Sequence, residues 1–298
     1  MTTRNGLLLV DKPAGITSHD VVARARRLFN ERRIGHAGTL DPMATGLLIL
    51  AIGPSTRLLR FAQAESKRYT GHVLLGTATD SLDADGTVTA TAPVPPLNVE
   101  EMNRVASTFL GEIFQIPPMV SAIKVDGRRL HELARQGIEV ERKPRSITVQ
   151  SFELTSTDSN NVWAFDVTCS TGTYVRVLLA DLAERLGTLG HLQSLRRESS
   201  GPHDVRSARA LEIIATMLDA GEEPLLPPIS FVTDLKHVTF APDDVRAIRQ
   251  GKQVGADADA DEIAGLDERG NLVAVLHRRG EKWQPEIVLP DQSVENEG

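Results

Sequence analysis

Asp41 is the residue whose type and setting point most directly to chemistry. It stands in the stretch Ile34 to Gly53, I-G-H-A-G-T-L-D-P-M-A-T-G-L-L-I-L-A-I-G, directly before Pro42. A proline ring disfavours the α region for the residue ahead of it, so Asp41 is biased towards extended backbone and its carboxylate rides on a stiff segment. A carboxylate so presented can act as nucleophile or general base; the same dipeptide also suits an ordinary Asx turn. Gly35, Gly38 and Gly46 give the loop backbone conformations closed to other residues. Tyr69 and Tyr174 are the only tyrosines in the chain, and Arg176 follows the second closely. Taken singly, each tyrosine reads as a core residue with its hydroxyl satisfied.

The elements that must hold these groups are legible around them. Leu47 to Ile52 reads as a buried strand, as does Gly6 to Val10, which Asp11-Lys12-Pro13-Ala14-Gly15 ends as a turn. Ser18 is expected to cap a helix running to about Phe29, with Val21, Val22, Ala25, Leu28 and Phe29 on one face and Arg24 and Arg27 elsewhere. A short helix is expected over Ser55 to Ala62, a strand over Lys67 to Thr77 and another over Thr87 to Thr91. Asn98 should cap a helix reaching about Leu110, with Glu100 and Glu101 at the positive end of its dipole. Arg145 to Thr157 and Val162 to Ser170 read as a β-hairpin, Thr173 to Gly187 as a helix, Leu189 to Ser199 as a strand and Ser207 to Leu218 as a helix. After the linker G-E-E-P-L-L-P-P come short strands around one helix, from Lys236 to Pro290.

Three aspartates, Asp80, Asp83 and Asp85, lie in T-A-T-D-S-L-D-A-D-G. Alternating oxygen ligands suit calcium, but the glycine and distal glutamate of an EF-hand are missing, so these read as turn and capping residues and no metal site is expected. Cys169, the single cysteine, has no partner for an internal disulfide and reads as a small buried hydrophobe in the alternating run V-W-A-F-D-V-T-C-S. A reducing cytoplasm fits that best. No apolar run is long enough to cross a bilayer and no leader opens the chain, so neither secretion nor a membrane is expected.

The net charge of −7 is unevenly spread. Residues 1 to 61 carry nine Lys/Arg against four Asp/Glu and residues 124 to 150 seven against four, whereas residues 215 to 298 carry eight against seventeen. Nucleic-acid binding depends on where basic charge is concentrated, so the total argues against promiscuous binding but not against an RNA substrate. Lys124, Arg128, Arg129 and Arg135 cluster in an extended segment, a turn at Asp126-Gly127 and an amphipathic helix. From charge alone this segment reads equally as a solvated hairpin or as a patch that meets phosphate.

Five motifs then occur in order over roughly residues 6 to 200: K-P at Lys12, G-H-A-G-T-L-D-P-M-A-T-G around Asp41, K-R-Y at Tyr69, T-G-T-Y-V-R at Tyr174 and Arg176, and L-R-R at Leu195. Together they resemble the TruB-type tRNA pseudouridine synthases. The resemblance implies pseudouridine-55 synthase activity: a T-loop uridine of tRNA, flipped out of its stack, is isomerised without any cofactor. By the same resemblance Asp41 is the essential aspartate, Arg176 its paired arginine, Tyr69 the residue stacking on the target base, and Tyr174 a pocket wall. His36 occupies space near the displaced base, Lys12 supports the catalytic loop and Leu195 floors the uracil. Residues 124 to 150 would be the mobile insertion that closes over tRNA.

The implied fold is α+β, a mixed, mostly antiparallel sheet with flanking helices and a central active-site cleft over residues 1 to 230. A small PUA-like β-barrel is expected over 235 to 298, from the Q-G-K-Q-V and D-E-R-G-N pieces; its A-D-A-D-A-D-E run weighs against strong RNA contact. The RNA-guided relatives in archaea and eukaryotes share the catalytic loop, but this chain has no lysine-rich tail, so a stand-alone monomer needing no protein partner is expected, with tRNA folding as a companion role. A glycosidase-like hydrolase would need a second carboxylate at roughly 5 to 9 Å, and the loop offers none.

Overall fold

The computed structural model describes residues 4–63, 66–119, 124–125, 128–129 and 140–291. In chain order the first elements are β1 (Gly6–Lys12), α1 (Ser18–Phe29), β2 (Ile34–Ala37), β3 (Thr45–Ile52), β4 (Ser66–Leu75), β5 (Thr77–Thr79) and β6 (Val88–Thr91). Then come α2 (Val99–Ser107), β7 (Gly111–Gln115), β8 (Lys124–Val125), β9 (Arg128–Arg129), β10 (Arg145–Ser156), β11 (Val162–Ser170), α3 (Val175–Arg185) and β12 (Gly190–Ser200). The last are β13 (His203–Asp204), α4 (Leu211–Asp219), β14 (Lys236–Thr239), α5 (Pro242–Arg249), β15 (Glu262–Leu266), β16 (Leu272–Arg279) and β17 (Lys282–Val288). They form two compact bodies. One contains residues 1–41, 47–63 and 202–298, the other 42–46 and 64–201, so one boundary falls between Asp41 and Pro42.

In the first body β3 lies between β1 and β2. Its unbroken apolar run has a simple cause, because both of its faces are covered. Leu48, Leu50 and Ile52 join Leu8, Val10, Val21, Val22, Ala25, Phe29 and Leu211 in one core, which is roofed by α1 and α4. Leu47, Ile49 and Ala51 join Leu7 and Leu9 in the other, where Phe231, Ala264, Leu266, Val275 and Ile287 of the C-terminal segment pack. A strand buried on both sides loses the alternating pattern.

The C-terminal strands form a four-stranded sheet in the order β14-β15-β16-β17, with only β14 and β15 parallel. The sequence led us to expect a barrel here, but the described strands make an open sheet. Its outer core holds Phe240, Ile248, Val254, Ala258, Leu276 and Trp283. The A-D-A-D-A-D-E run borders it: Ala258 is buried while Asp257, Asp259 and Asp261 are exposed, and the Trp283 indole donates to Ala256 O at 3.0 Å. Its alternation is therefore that of an edge segment with alanines inward.

In the second body the order is β12-β4-β11-β10-β7, all antiparallel, and Thr45 and Gly46 at the start of β3 pair in parallel with Arg196 and Arg197 of β12. The sheet is thus mixed and mostly antiparallel, as expected. Asn98 caps α2 through Glu101 N at 2.8 Å, and Asn103 fixes the helix to β10 by bonding both N and O of Leu154. Strand β7 was not expected from sequence. The 126–127 turn and the helix expected after it lie outside the described residues. Lys124–Val125 and Arg128–Arg129 pair antiparallel. No described helix is long and apolar enough to cross a membrane.

Candidate active site

The backbone leading into Asp41 is gripped from α1. Ser18 is not the helix cap expected from sequence: Thr17 is, its hydroxyl accepting from Asp20 N while the Asp20 carboxylate accepts from Thr17 N, a reciprocal capping box. That leaves Ser18, which is buried, to bond the loop. Its Oγ accepts from Leu40 N at 2.8 Å and donates to Leu40 O at 3.1 Å. Both backbone polar groups of the residue before Asp41 are thereby satisfied by one side chain.

Beyond Asp41 the loop is fixed again. Gly46 has φ +97°, and a Cβ there would lie 2.4 Å from Arg197 O, so only glycine fits. Thr45 Oγ1 donates to Leu195 O at 3.4 Å, and Ala44 is wholly buried. Asp41 itself is half-buried. Its carboxylate sits on a segment tied down on either side, Leu40 to α1 and Thr45 with Gly46 to β12.

His36 and Lys12 belong to strands and not to loop or turn. His36 is half-buried in β2 opposite Leu50. Lys12 ends β1 with its side chain entirely buried and Nζ donating to Pro13 O at 2.8 Å, which disposes of the exposed-lysine reading.

In the second body the pairing of β4 with β12 and β11 sets Tyr69 opposite Arg197 and Val167, and Gly71 opposite Leu195 and Phe165. Residues directly opposite share a face, and so do residues two apart on one strand. Tyr69, Leu195, Arg197, Val167 and Phe165 therefore line one buried face, with an aromatic ring beside an apolar floor. Tyr174 is the N-cap residue of α3, its N donating to Gln115 Oε1 at 2.8 Å and its O accepting from Gln115 Nε2 at 3.1 Å. Arg176 is 3 % exposed and its guanidinium carbon lies 5.9 Å from the Tyr174 ring centroid.

Sequence reasoning missed two groups here. Asp83 is no mere turn residue: at 4 % exposure it accepts from Arg176 Nη1 at 2.9 Å, from Ser81 Oγ at 2.5 Å and from Asp85 N at 3.2 Å. Arg176 also donates to Ser81 O at 3.3 Å. The acidic loop thus supplies a buried anchor for the arginine. The signal that could have found it is the S-x-D spacing, which closes a turn and leaves one carboxylate oxygen for a distant cation.

Lys67 is the second. It shares the face of Tyr69, is 7 % exposed, and donates to Thr171 Oγ1 at 3.1 Å, joining the Tyr69 strand to the turn before Tyr174. Burial, and then the nearby Arg197 charge, lower its pKa to about 8 against a smaller opposing effect of Cys169. The Cys169 thiol is pushed up to about 11 by burial, so it is an inert core group and not a nucleophile. Of the basic patch, Lys124, Arg128 and Arg129 are described in backbone only, and Arg135 lies outside the described residues.

The profile of the TruB family pseudouridylate synthase (N terminal domain) matches residues 26–175, a segment that holds the Asp41 loop, Tyr69 and Tyr174. The chain belongs to the TruB family of pseudouridylate synthases. It is 43 % identical over 260 residues to the tRNA pseudouridine synthase B of Syntrophotalea carbinolica, covering 87 % of this chain and 85 % of that protein. The enzyme of the same name from Rhodococcus jostii is 44 % identical over 291 residues, covering 95 % and 93 %. TruB-family membership makes this chain a pseudouridine synthase, an isomerase. The fold is shared with the H/ACA RNP bound to a substrate RNA containing 2'-deoxyuridine (TM-score 0.73, 22 % identity, 96 % of this chain and 86 % of that one). It is also shared with the archaeal box H/ACA sRNP Nop10-Cbf5 complex (TM-score 0.72, 23 % identity, 97 % and 88 %).

Proposed function

We propose that this chain is a tRNA pseudouridine synthase that isomerises a T-loop uridine, position 55, with Asp41 as its essential carboxylate. The observation that carries the reading is the Asp41 loop, anchored to Ser18 before the carboxylate and to β12 after it, inside the segment matched by the family. The glycosidic N1–C1′ bond of the uridine breaks, the uracil turns, and its C5 joins the sugar carbon while the C5 proton is released and N1 takes up a proton; the isomerisation needs no oxidant or reductant, so the chemistry asks for no cofactor. A base must leave its stack to be reached, at a cost of a few kcal/mol. On this reading Asp41 attacks the uridine or takes its proton, Arg176 keeps the carboxylate ionised, Tyr69 stacks on the uracil over Leu195, and Tyr174 closes a wall. His36 fills the vacated space, while buried Lys12 braces the strand end beside the loop.

The remaining assignments belong to the same proposal. Residues 1–230 form the catalytic domain, with an insertion at about 124–150 whose Lys124, Arg128, Arg129 and Arg135 grip the T-arm. Residues 235–298 form a PUA-like RNA-binding domain, supported by their own four-stranded sheet and core. The enzyme works as a monomer in the cytoplasm, needs no protein partner, and can also assist tRNA folding.

The deciding experiment is a tritium-release or mass-based pseudouridine assay on a T-arm transcript with wild type and Asp41→Asn. Product from the wild type alone is the expected result. Equal product from both would remove Asp41 from the mechanism, and none from either, with tRNA still bound, would leave only a binding protein.

A further inference from the structure

Outside the loop and the β4–β12 face, the first body holds a cleft of about 480 Å³ lined by Arg33, Pro54, Thr56, Arg57, Arg249 and the 288–290 segment. Its three arginines come from three distant parts of the chain. Arg33 precedes β2 and is placed by Gly53 N, which donates to Arg33 O at 2.7 Å. Arg57 lies in the short 3-10 turn after β3, its Nη1 donating to Val288 O at 2.9 Å and Nη2 to Glu286 O at 3.3 Å. Arg249 ends α5.

The charge of this cleft is only partly met. Glu31 lies 3.6 Å from Arg33 Nε and Asp291 2.9 Å from Arg249 Nη1. Arg57 is held by carbonyl oxygens and pairs with no carboxylate among the described residues. The Nε of Arg249 is buried and has no hydrogen-bond partner among the described residues. A buried donor without an acceptor is costly, and guanidinium forks fit phosphate oxygens two at a time.

We propose that this cleft is an anion subsite that binds a backbone phosphodiester of the RNA substrate between Arg33, Arg57 and Arg249. The site resolves the contradiction between an acidic C-terminal segment and an RNA ligand: Asp257, Asp259 and Asp261 are exposed and do not line the cleft, while Arg249 of the same segment does. Its walls join that segment to the strand that carries on from the Asp41 loop, so a phosphate there would be read by both at once. The inference rests on the tRNA reading above.

The test is the salt dependence of tRNA binding by the full chain, compared for wild type, Arg33→Gln, Arg249→Gln and Arg33→Lys. Losing a phosphate contact should make the slope of log affinity against log salt shallower by about one for each arginine replaced by glutamine, and Arg33→Lys should restore it. A change in folding alone does not alter that slope, and Arg33, whose side chain is 58 % exposed, keeps the test open if Arg249→Gln fails to fold. Slopes unchanged in folded variants would overturn the subsite and leave the synthase reading intact. A wild type that makes no pseudouridine and binds no tRNA would overturn both.

Discussion

Arg176 and Asp83 form an ion pair with both side chains almost wholly out of water. Such a pair adds little over an apolar substitute, but removing one member strands the other. Asp83→Ala should therefore cost on the order of 3–5 kcal/mol of stability. Urea titration would read this as a lower midpoint with unchanged slope, and a loss under about 1 kcal/mol would mean that the pair is not a structural anchor. Lys67 gives a pH signature. Its folded pKa of about 8 lies below the ordinary 10.5, so between those values the unfolded chain holds a proton that the folded one has released. Stability then rises with pH through that window, by roughly 3 kcal/mol over its full width, and the penalty is complete below pH 8. Cys169 works in the opposite sense, since its folded pKa of about 11 lies above the ordinary 9.0 and it withdraws stability from pH 9 upwards. The clean interval is pH 8 to 9, where urea midpoints should climb in the wild type and stay level in Lys67→Met.

At the scale of elements, Ser18 shows how a helix start can serve a loop. Because Thr17 and Asp20 already close the capping box, the neighbouring hydroxyl is released to bond both polar groups of Leu40. Ser18→Ala would leave buried N–H and C=O groups unmet, a loss of about 1–3 kcal/mol. On the synthase reading it should also lower kcat more than it changes KM, because the RNA grip is untouched while the carboxylate loses its seat. A kcat equal to wild type would show that the loop is held by other means. This is also where legibility ended. Strands, the hairpin, the Asn98 cap and the candidate residues themselves could be read from apolar period, turn residues and motif order. Whether Thr17 or Ser18 caps could not, since both are good caps and the choice depends on Leu40, distant in sequence. Strand β2 was hidden for the same reason: I-G-H-A is too short and too glycine-rich to show a period, and it exists by pairing with β3. The S-x-D spacing marks Asp83 as a turn carboxylate with an oxygen to spare, but which cation meets it was not legible, because that partner, Arg176, lies over ninety positions away.

Over the whole molecule, the apolar run of β3 and the C-terminal sheet explain each other. A run without alternation signals two covered faces, and the second cover comes from Leu58, Ala62, Val205 and Ala208 together with residues after 228. The acidic composition of that segment is divided, since Asp257, Asp259 and Asp261 are exposed while Glu262 and Glu286 pair with Arg60 after β3 and Asp291 with Arg249, so its charge total says little about its inner contacts. One sulfur atom makes the second body's cohesion measurable. Cys169 is the chain's only thiol, at 0 % exposure in β11, flanked by β4 and β10. Reagent can reach it only when those strands part, so the rate of alkylation at neutral pH is a clock for the opening of that one sheet. Labelling should be far slower than for a free thiol and should accelerate with urea. Labelling at the free-thiol rate in the absence of denaturant would mean that the β4–β11–β10 interior is not closed. A chain with a second cysteine would blur that record; this one keeps time with a single hand.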